Sequence, residues 1–145
     1  MKHGISSTKS VIVDASFLVS LTSVKERHHA ACVQVAQVLN SHLIVPITVI
    51  PEAAYLIATR ISHRAMRLFL DNLRHPQWRI ENITPADYER SVEILNVYQD
   101  ARLDFADGTI VAVAERMNVD TILTLDRRDF YMIRPSHTDH FIVLP

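Results

Sequence analysis

Glycine, cysteine and long apolar runs are all scarce in this chain of 145 residues, and each scarcity narrows the range of functions. Gly4 and Gly108 are too few for a phosphate-cradling P-loop or a dinucleotide-binding turn, so nucleotide-cofactor chemistry is not expected. Cys32 stands alone, which rules out an internal disulfide and favours the reducing cytoplasm. No apolar run approaches the ~20 residues that span a bilayer, and the polar start does not resemble a signal peptide. We therefore expect a soluble, cytoplasmic protein that does not enter a membrane.

Neither sign of charge dominates the composition. Lysine and arginine total 15 and aspartate and glutamate total 16, so the net charge of -1 argues against a general binder of polyanions. Arginine nevertheless far outnumbers lysine, and its planar guanidinium group pairs well with phosphate. The charge balance permits a nucleic-acid substrate without requiring one.

Short apolar runs alternate with segments of helical period along the whole chain, without repeats or linkers. We predict a single domain over residues 1–145, in which residues 1–9 form a flexible N-terminal segment. Thr84 is predicted to cap a helix whose first residue is Pro85. Strands are predicted at 11–13, 42–45, 78–83, 121–125 and 141–144. Five strands separated by helices predict an α/β fold with a parallel sheet covered on both faces, and such sheets bind ligands beyond the carboxyl ends of their strands.

Four acidic residues stand at predicted element boundaries: Asp14 and Asp126 follow strand-like runs, and Glu52 and Asp107 begin apolar helices. If the fold gathers them, any two carboxylates about 4 Å apart repel by roughly 4 kcal/mol at an effective dielectric constant of about 20. Protons or cations must offset that repulsion. Because hard divalent cations prefer oxygen ligands, the pattern predicts a metal site.

Helix capping is the ordinary role of an acid at a helix N-terminus, where a carboxylate gains about 0.3–1 kcal/mol. That interpretation suits Glu52 or Asp107 taken singly, whereas four such acids in one chain favour a shared site. Ser16 lacks the Gly-x-Ser-x-Gly surroundings of a serine nucleophile, so we expect it to hydrogen-bond a carboxylate or a water molecule on the metal. Asp129 is expected to cap a turn or to pair with an arginine.

Four short motifs occur along the chain: VIVDAS from residue 11, PEA from 51, LDFADG from 103 and LTLDRRDF from 123. In this combination the chain resembles a PIN-domain ribonuclease of the VapC type, the toxin of a type II toxin-antitoxin system. The resemblance covers residues 10–143. It implies a three-layer PIN-like fold with a five-stranded parallel sheet between helices, an acidic pocket that binds Mg²⁺ or Mn²⁺, and hydrolysis of single-stranded RNA. A homodimer and a small antitoxin partner are implied as well.

The resemblance assigns site residues by position. Asp14, Glu52, Asp107 and Asp126 match the family's four catalytic carboxylates, and Asp104 is an additional candidate ligand because it lies one helical turn before Asp107. We expect Asp14 and Asp107 to be the principal metal ligands. Glu52 and Asp126 are expected to bind a weaker second ion or to orient water on the metal, and the number of ions stays open.

Candidate substrate contacts lie close to the acids in sequence. Arg127 and Arg128 follow Asp126 directly, and Ser16 follows Asp14 by two residues. A further stripe of Arg60, Arg64 and Arg67 has helical spacing, which suits either RNA phosphates, an antitoxin or plain solvation.

One residue departs from the family pattern. Gly108 stands where relatives usually carry alanine, and this puts the rigidity of its helix in question.

Two alternatives to a toxin remain open at this point. One is a PIN-domain nuclease in RNA processing, and the other is a binding module for RNA or protein that keeps the fold without the chemistry. The retained acids favour a hydrolase over the binding module. Neither the RNA target nor its cleavage sequence follows from these motifs, because single-stranded loops are recognised by surface shape and stacking.

Overall fold

The computed structural model describes residues 9–39 and 42–145, so the predicted flexible segment lies outside the described residues except for Lys9. Five parallel strands form one sheet in the order β3-β2-β1-β4-β5. Their bounds are β1 Ser10–Val13, β2 His42–Pro46, β3 Trp78–Glu81, β4 Thr121–Leu123 and β5 Ile142–Leu144. All five predicted strands and the predicted fold class are confirmed.

The central strand shows why the sheet needs helices on both faces. Val11, Ile12 and Val13 are all essentially inaccessible to solvent, although consecutive side chains of a strand point to opposite faces. A strand that is apolar at every position is typical of a parallel sheet covered on two sides. The main apolar core therefore extends to both faces of the sheet.

Seven helices and one short 3-10 turn connect the strands in the described part of the chain. Their bounds are α1 Ala15–Leu21, α2 His29–Val38, α3 Val49–Arg60, α4 His63–Asn72, α5 Pro85–Val97, the 3-10 turn Gln99–Ala101, α6 Phe105–Met117 and α7 Arg127–Met132. Helix α5 begins as predicted: the Thr84 hydroxyl accepts from Asp87 N at 3.0 Å, and the Asp87 carboxylate accepts from Thr84 N at 3.0 Å. Within residues 9–39 and 42–145, no helix combines the length and apolarity that crossing a membrane requires.

The predicted arginine stripe does not lie on one helix. Arg60 ends α3 and pairs with Glu26 at 3.3 Å, whereas Arg64 and Arg67 belong to α4. The break falls at Ser62, whose hydroxyl accepts from Ala65 N at 3.0 Å and caps a new helix. The i, i+4, i+7 spacing was therefore misleading, because a local cap interrupted the helix that the spacing assumed.

The sheet order places a switch point beside the central strand. From β1 the chain winds outward through β2 to β3, and it then returns to the other side of β1 with β4 and β5. Neighbouring connections therefore diverge beyond the carboxyl ends of β1 and β4, the usual position of a ligand crevice in such sheets. Asp14 follows β1 and Asp126 follows β4, and these two strands are neighbours in the sheet.

Candidate active site

Asp14 is the most buried acid at this edge of the sheet, with 3% of its surface exposed. It is the N-cap of α1, and its carboxylate accepts from Ala15 N at 2.7 Å and from the Thr124 hydroxyl at 2.7 Å. Burial is the main cause that raises the pKa of Asp14 from 3.8 to about 6. The two hydrogen bonds lower this pKa, and the nearby charges of Asp126 and Glu52 raise it.

Asp107 and Asp126 complete a compact group with Asp14. Each of the three offers a carboxylate oxygen, and these oxygens all lie within 4.8 Å of one another. Asp107 is in the first turn of α6 and is half-buried, whereas Asp126 is the N-cap of α7 and is exposed. Burial raises the pKa of Asp107 to about 7, and the charges of Asp14, Asp104 and Asp126 add to that effect. The N-termini of α1, α6 and α7 thus place these three carboxylates next to one another.

No arginine or lysine neutralises this group from within the described residues, since none of its three carboxylates forms a salt bridge there. The raised pKa values of Asp14 and Asp107 reflect burial first and mutual repulsion second. A set of carboxylate oxygens at this spacing suits a hard divalent cation such as Mg²⁺, which binds one or two carboxylates and keeps several water molecules. The residues therefore fit the predicted metal.

Glu52 and Asp104 lie outside the close group of three but within its electrostatic reach. Glu52 is exposed in the first turn of α3, and its pKa is raised by partial burial and by the charges of Asp104 and Asp126. Asp104 is the N-cap of α6, and its backbone N–H donates to the Asp107 carboxylate at 2.9 Å. These two acids form the rim of the site.

Two hydroxyl groups hold the deepest carboxylate in place. Thr124 is fully buried; its hydroxyl donates to Asp14 and accepts from Asp126 N at 3.0 Å. Ser16 accepts from Leu125 N at 3.0 Å and lies 3.3 Å from the Thr124 hydroxyl and 3.5 Å from Asp14. Ser16 thus contacts a carboxylate, as predicted.

Sequence reasoning overlooked Thr124. A hydroxyl residue two positions before Asp126, at the end of an apolar strand, was the available signal. Its two bonds link two acids that are 112 positions apart in the chain, so they depend on the register between β1 and β4.

A second hydroxyl pair joins the helices that carry Glu52 and Asp107. Thr48 and Thr109 lie 2.6 Å apart through their hydroxyl oxygens, and Thr109 donates to Ala106 O at 2.7 Å. Thr48 is the N-cap residue of α3, but its side chain makes this contact across the fold and no capping bond to its own helix. The pair fixes the start of α3 against the start of α6.

The two predicted substrate arginines differ in their surroundings. Arg127 donates to the carbonyl of Pro145 and to the Tyr131 hydroxyl at 3.2 Å, which directs its guanidinium group towards the C-terminus. Arg128 is exposed one residue further along α7. Asp129 is half-buried beside them, and its charge contributes to raising the pKa of Asp126 after burial itself.

This arrangement is suited to hydrolysis of a phosphodiester. Three close carboxylates that form no salt bridge among the described residues concentrate negative potential at one point, which attracts a cation and repels an anionic substrate. A phosphate group could approach only after such a cation is bound. Among the described residues the group of three acids is the one place with this property.

Comparison with known proteins agrees with this geometry. The PIN domain family matches residues 11–134. Over 135 residues the chain is 36% identical to Ribonuclease VapC26 of Mycobacterium tuberculosis (strain ATCC 25618 / H37Rv), a match that spans 93% of this chain and 100% of that protein.

Solved structures share the fold at lower sequence identity. VapC20 of Mycobacterium tuberculosis, a Sarcin-Ricin loop cleaving toxin, has a TM-score of 0.77 at 21% identity, covering 81% of this chain and 90% of that one. A toxin-antitoxin complex from Klebsiella pneumoniae gives 0.65 at 21% identity, with coverage of 92% and 100%. VapBC2 from Rickettsia felis, bound to a DNA fragment from the promoter, gives 0.67 at 14% identity, with coverage of 92% and 96%.

Proposed function

The chain belongs to the PIN-domain family, and from that premise we propose that it is a metal-dependent ribonuclease and the toxin of a toxin-antitoxin pair. The relative that is 36% identical is named as a ribonuclease, and its whole length is matched. The observation that carries the proposal is the group of Asp14, Asp107 and Asp126, with carboxylate oxygens within 4.8 Å and no basic partner among the described residues.

In this proposal Asp14, Asp107 and Asp126 hold Mg²⁺ or Mn²⁺. Such an ion, when bound, offsets charge on the phosphoryl group and lowers the pKa of coordinated water. Asp14 is held by Ala15 N and the Thr124 hydroxyl, so it needs little reorganisation to act as a ligand. Asp107 is oriented by Asp104 N, which donates to one carboxylate oxygen.

Residues at the rim have supporting roles in the same proposal. Exposed Glu52 and Asp104 orient water or contribute to a weaker second ion site, because their charges already act on the other acids. Arg128, exposed on α7, contacts substrate phosphate, whereas Arg127 does so only if it leaves its contacts with Pro145 and Tyr131. Ser16 acts mainly through Asp14 and Thr124.

Cleavage of RNA by the purified protein tests the chemistry. We expect turnover with Mg²⁺ or Mn²⁺ and none with EDTA, because the chain offers no other Lewis acid at these acids. Asp139→Asn is a matched control for substitutions of the three acids, since it removes an exposed carboxylate that is not part of their group. Undiminished activity in chelator would remove the metal from the mechanism.

Thermal unfolding locates the ion independently of activity. At a hundred times the Kd, a ligand that binds only the folded state adds about 2.7 kcal/mol of stability. Mg²⁺ should therefore raise the Tm of the wild-type protein and raise that of Asp14→Asn much less. Equal shifts in both proteins would place the ion elsewhere.

The toxin role and its partners form a separate part of the proposal. An antitoxin with an apolar helix and an arginine that reaches the carboxylates would compete with the metal through charge-assisted bonds. Expression of the chain alone in its host cytoplasm should arrest growth, and Asp14→Asn should relieve the arrest. Co-expression with a small antitoxin encoded next to this chain should give a complex with suppressed cleavage, and sedimentation should show a homodimer.

A harmless wild-type protein at high expression, without any antitoxin, would favour the RNA-processing alternative. That result would leave the ribonuclease chemistry standing, since growth arrest and cleavage are measured separately.

A further inference from the structure

Thr48 and Thr109 form a directed chain of hydrogen bonds between the helices that carry Glu52 and Asp107. The Thr109 hydroxyl donates to Ala106 O at 2.7 Å, and a hydroxyl group has only one proton to donate. The contact of 2.6 Å between the two hydroxyl oxygens is therefore a bond that Thr48 donates to Thr109. The chain runs from the start of α3, through a fully buried hydroxyl, to the carbonyl of the residue directly before Asp107.

Thr48 stands at a capping position, but its hydroxyl does not cap its own helix. Ser62 and Thr84, at the starts of α4 and α5, each accept a hydrogen bond from the helix that they begin. Thr48 makes no such bond to α3. A hydroxyl that bonds another element in place of its own helix breaks a local rule, and such exceptions are expected at functional sites. The local stability of α3 therefore does not explain this contact.

Glu52 lies on the face of α3 that Thr48 directs towards α6. Thr48 has helical backbone angles, with φ -69° and ψ -22°, so Thr48 and Glu52 are surface neighbours one helical turn apart. The charge of Asp104 acts on Glu52, which places Glu52 within electrostatic reach of the start of α6. Asp14 and Asp107 accept bonds from backbone N–H groups, whereas Glu52 accepts none among the described residues. The placement of Glu52 therefore depends on where α3 begins, and the Thr48 contact fixes that point.

We propose that Thr48 and Thr109 are positioning residues that hold Glu52 against the group of three acids, where its carboxylate strengthens the binding of a divalent cation; this inference rests on the proposed ribonuclease function. In this role neither threonine contacts the cation. Loss of a residue that orients a metal-binding group commonly weakens metal binding or activity by about 10–100-fold. Because the Thr48 hydroxyl acts only through Glu52, its loss should have no effect where the Glu52 carboxylate is already missing.

Metal titration of Thr48 variants is the first test. Thr48→Val keeps the shape of the side chain, removes the bond donated to Thr109 and costs α3 no capping bond. It should weaken Mn²⁺ binding, measured by calorimetry, by about tenfold, and Thr48→Ser should bind Mn²⁺ as wild type does. Thr59→Val is the matched control, because it removes an exposed hydroxyl near the other end of α3 that bonds only its own helix. The control should leave the affinity unchanged.

A Glu52→Gln background distinguishes positioning from a general structural effect. Glu52→Gln alone should weaken Mn²⁺ binding, and adding Thr48→Val should cause no further loss, because the two changes interrupt one interaction. A second loss of about tenfold would show that Thr48 acts on the whole site, which would overturn the proposal. Unchanged affinity in Glu52→Gln alone would also refute it, since Glu52 would then have no part in holding the cation.

RNA cleavage by the same proteins separates failure of the positioning role from failure of the ribonuclease function. If wild type binds Mn²⁺ and cleaves RNA while Thr48→Val keeps wild-type affinity, the positioning role is refuted and the ribonuclease stands. If wild type neither binds Mn²⁺ nor cleaves RNA, both proposals are refuted. A loss of affinity in Thr48→Val that Thr48→Ser restores, and that disappears in the Glu52→Gln background, supports the positioning role.

Discussion

Two groups of acids that are wholly or partly removed from solvent differ in whether the chain supplies a counter-charge. In one group, Asp87 of α5 is paired with an arginine of α6, and Glu115 of α6 is paired with an arginine of α5. Arg116 contacts the Asp87 carboxylate at 3.0–3.1 Å, and Arg90 donates two hydrogen bonds of 2.8 and 3.0 Å to the Glu115 carboxylate.

The pKa values of the two groups move in opposite directions. Burial alone would raise the pKa of Asp87 and of Glu115, but the arginine contacts hold both below their ordinary values. In the group of Asp14 and Asp107 burial prevails, and the pKa values rise to about 6 and about 7. The same residue type is structural where the chain supplies its counter-charge, and is available for a metal where it does not.

Neutralising an acid of the unpaired group gives the largest expected effect. Asp14→Asn or Asp107→Asn should lower RNA cleavage by about 10²–10³-fold, the range found when one preorganised electrostatic group is removed. The metal-free variants should keep their fold and unfold at a higher temperature than wild type at pH 8, because a repulsive charge is gone. Steady-state cleavage and calorimetry test both expectations. Normal turnover in either variant would refute the assignment of that residue.

Neutralising an acid of the paired group should have the reverse effect on stability. Asp87→Asn keeps an acceptor for Thr84 N and leaves Arg116 paired with Glu81 at 3.1 Å, so the expected cost is that of a lost hydrogen bond between charged groups, about 1.5–3 kcal/mol. Urea unfolding should show the loss with and without Mg²⁺. A destabilisation no larger than that of the exposed control Asp139→Asn would contradict the comparison.

The pH dependence of stability should separate the two groups. Asp14 has a higher pKa folded than unfolded, so its favourable contribution is complete below pH 4 and is lost as pH rises through about 6. We expect the metal-free protein to lose roughly 1.4 kcal/mol between pH 5 and pH 8 from this residue, since one pKa unit is 1.36 kcal/mol and the pH rises about one unit from pH 5 to the folded pKa.

The paired acids contribute in the opposite sense. Asp87 and Glu115 have lowered pKa values, so their contribution is present above pH 4 and is lost as pH falls. Stability should therefore peak near pH 5 without metal, and Mg²⁺ or the Asp14→Asn change should flatten the alkaline side. Denaturant titrations across pH would contradict this if the metal-free protein were most stable near pH 8.

The smallest expected effect comes from Thr124, which acts on the metal site through Asp14. Thr124→Val removes the hydroxyl that donates to Asp14 and accepts from Asp126 N, and loss of such a supporting bond weakens metal binding by about tenfold. Thr124→Ser keeps the hydroxyl and should bind nearly as wild type. Mg²⁺ titration followed by calorimetry measures the difference. Equal affinities in the valine and serine variants would leave Thr124 with a packing role alone.

Local patterns in the chain were enough to predict the strands, the cap at Thr84 and the boundary positions of the acids. These features depend on neighbours in sequence: apolar runs of a few residues, a hydroxyl before a proline, an acid after a strand. The prediction that Arg60, Arg64 and Arg67 share one helical face was wrong, because a local feature was overlooked: Ser62 caps a new helix between Arg60 and Arg64.

Side-chain partners across the fold were beyond sequence reasoning. The Thr124 bond to Asp14 and the arginine partners of Asp87 and Glu115 join residues that are 25 or more positions apart. Helix position alone does not distinguish Asp87 from Asp107, because both lie in the first turn of a helix; the motif LDFADG from residue 103 is what singled out Asp107.

The order of apolar runs and turn residues alone decided that this chain forms a parallel sheet and that acids stand where its strands and helices meet. Only the tertiary structure decided which acids share a centre and which are neutralised. The pairing of β1 with β4 and the close approach of α5 to α6 determine the distances between charges. At separations of a few ångströms those distances set pKa values, and hence which carboxylates are free for a cation.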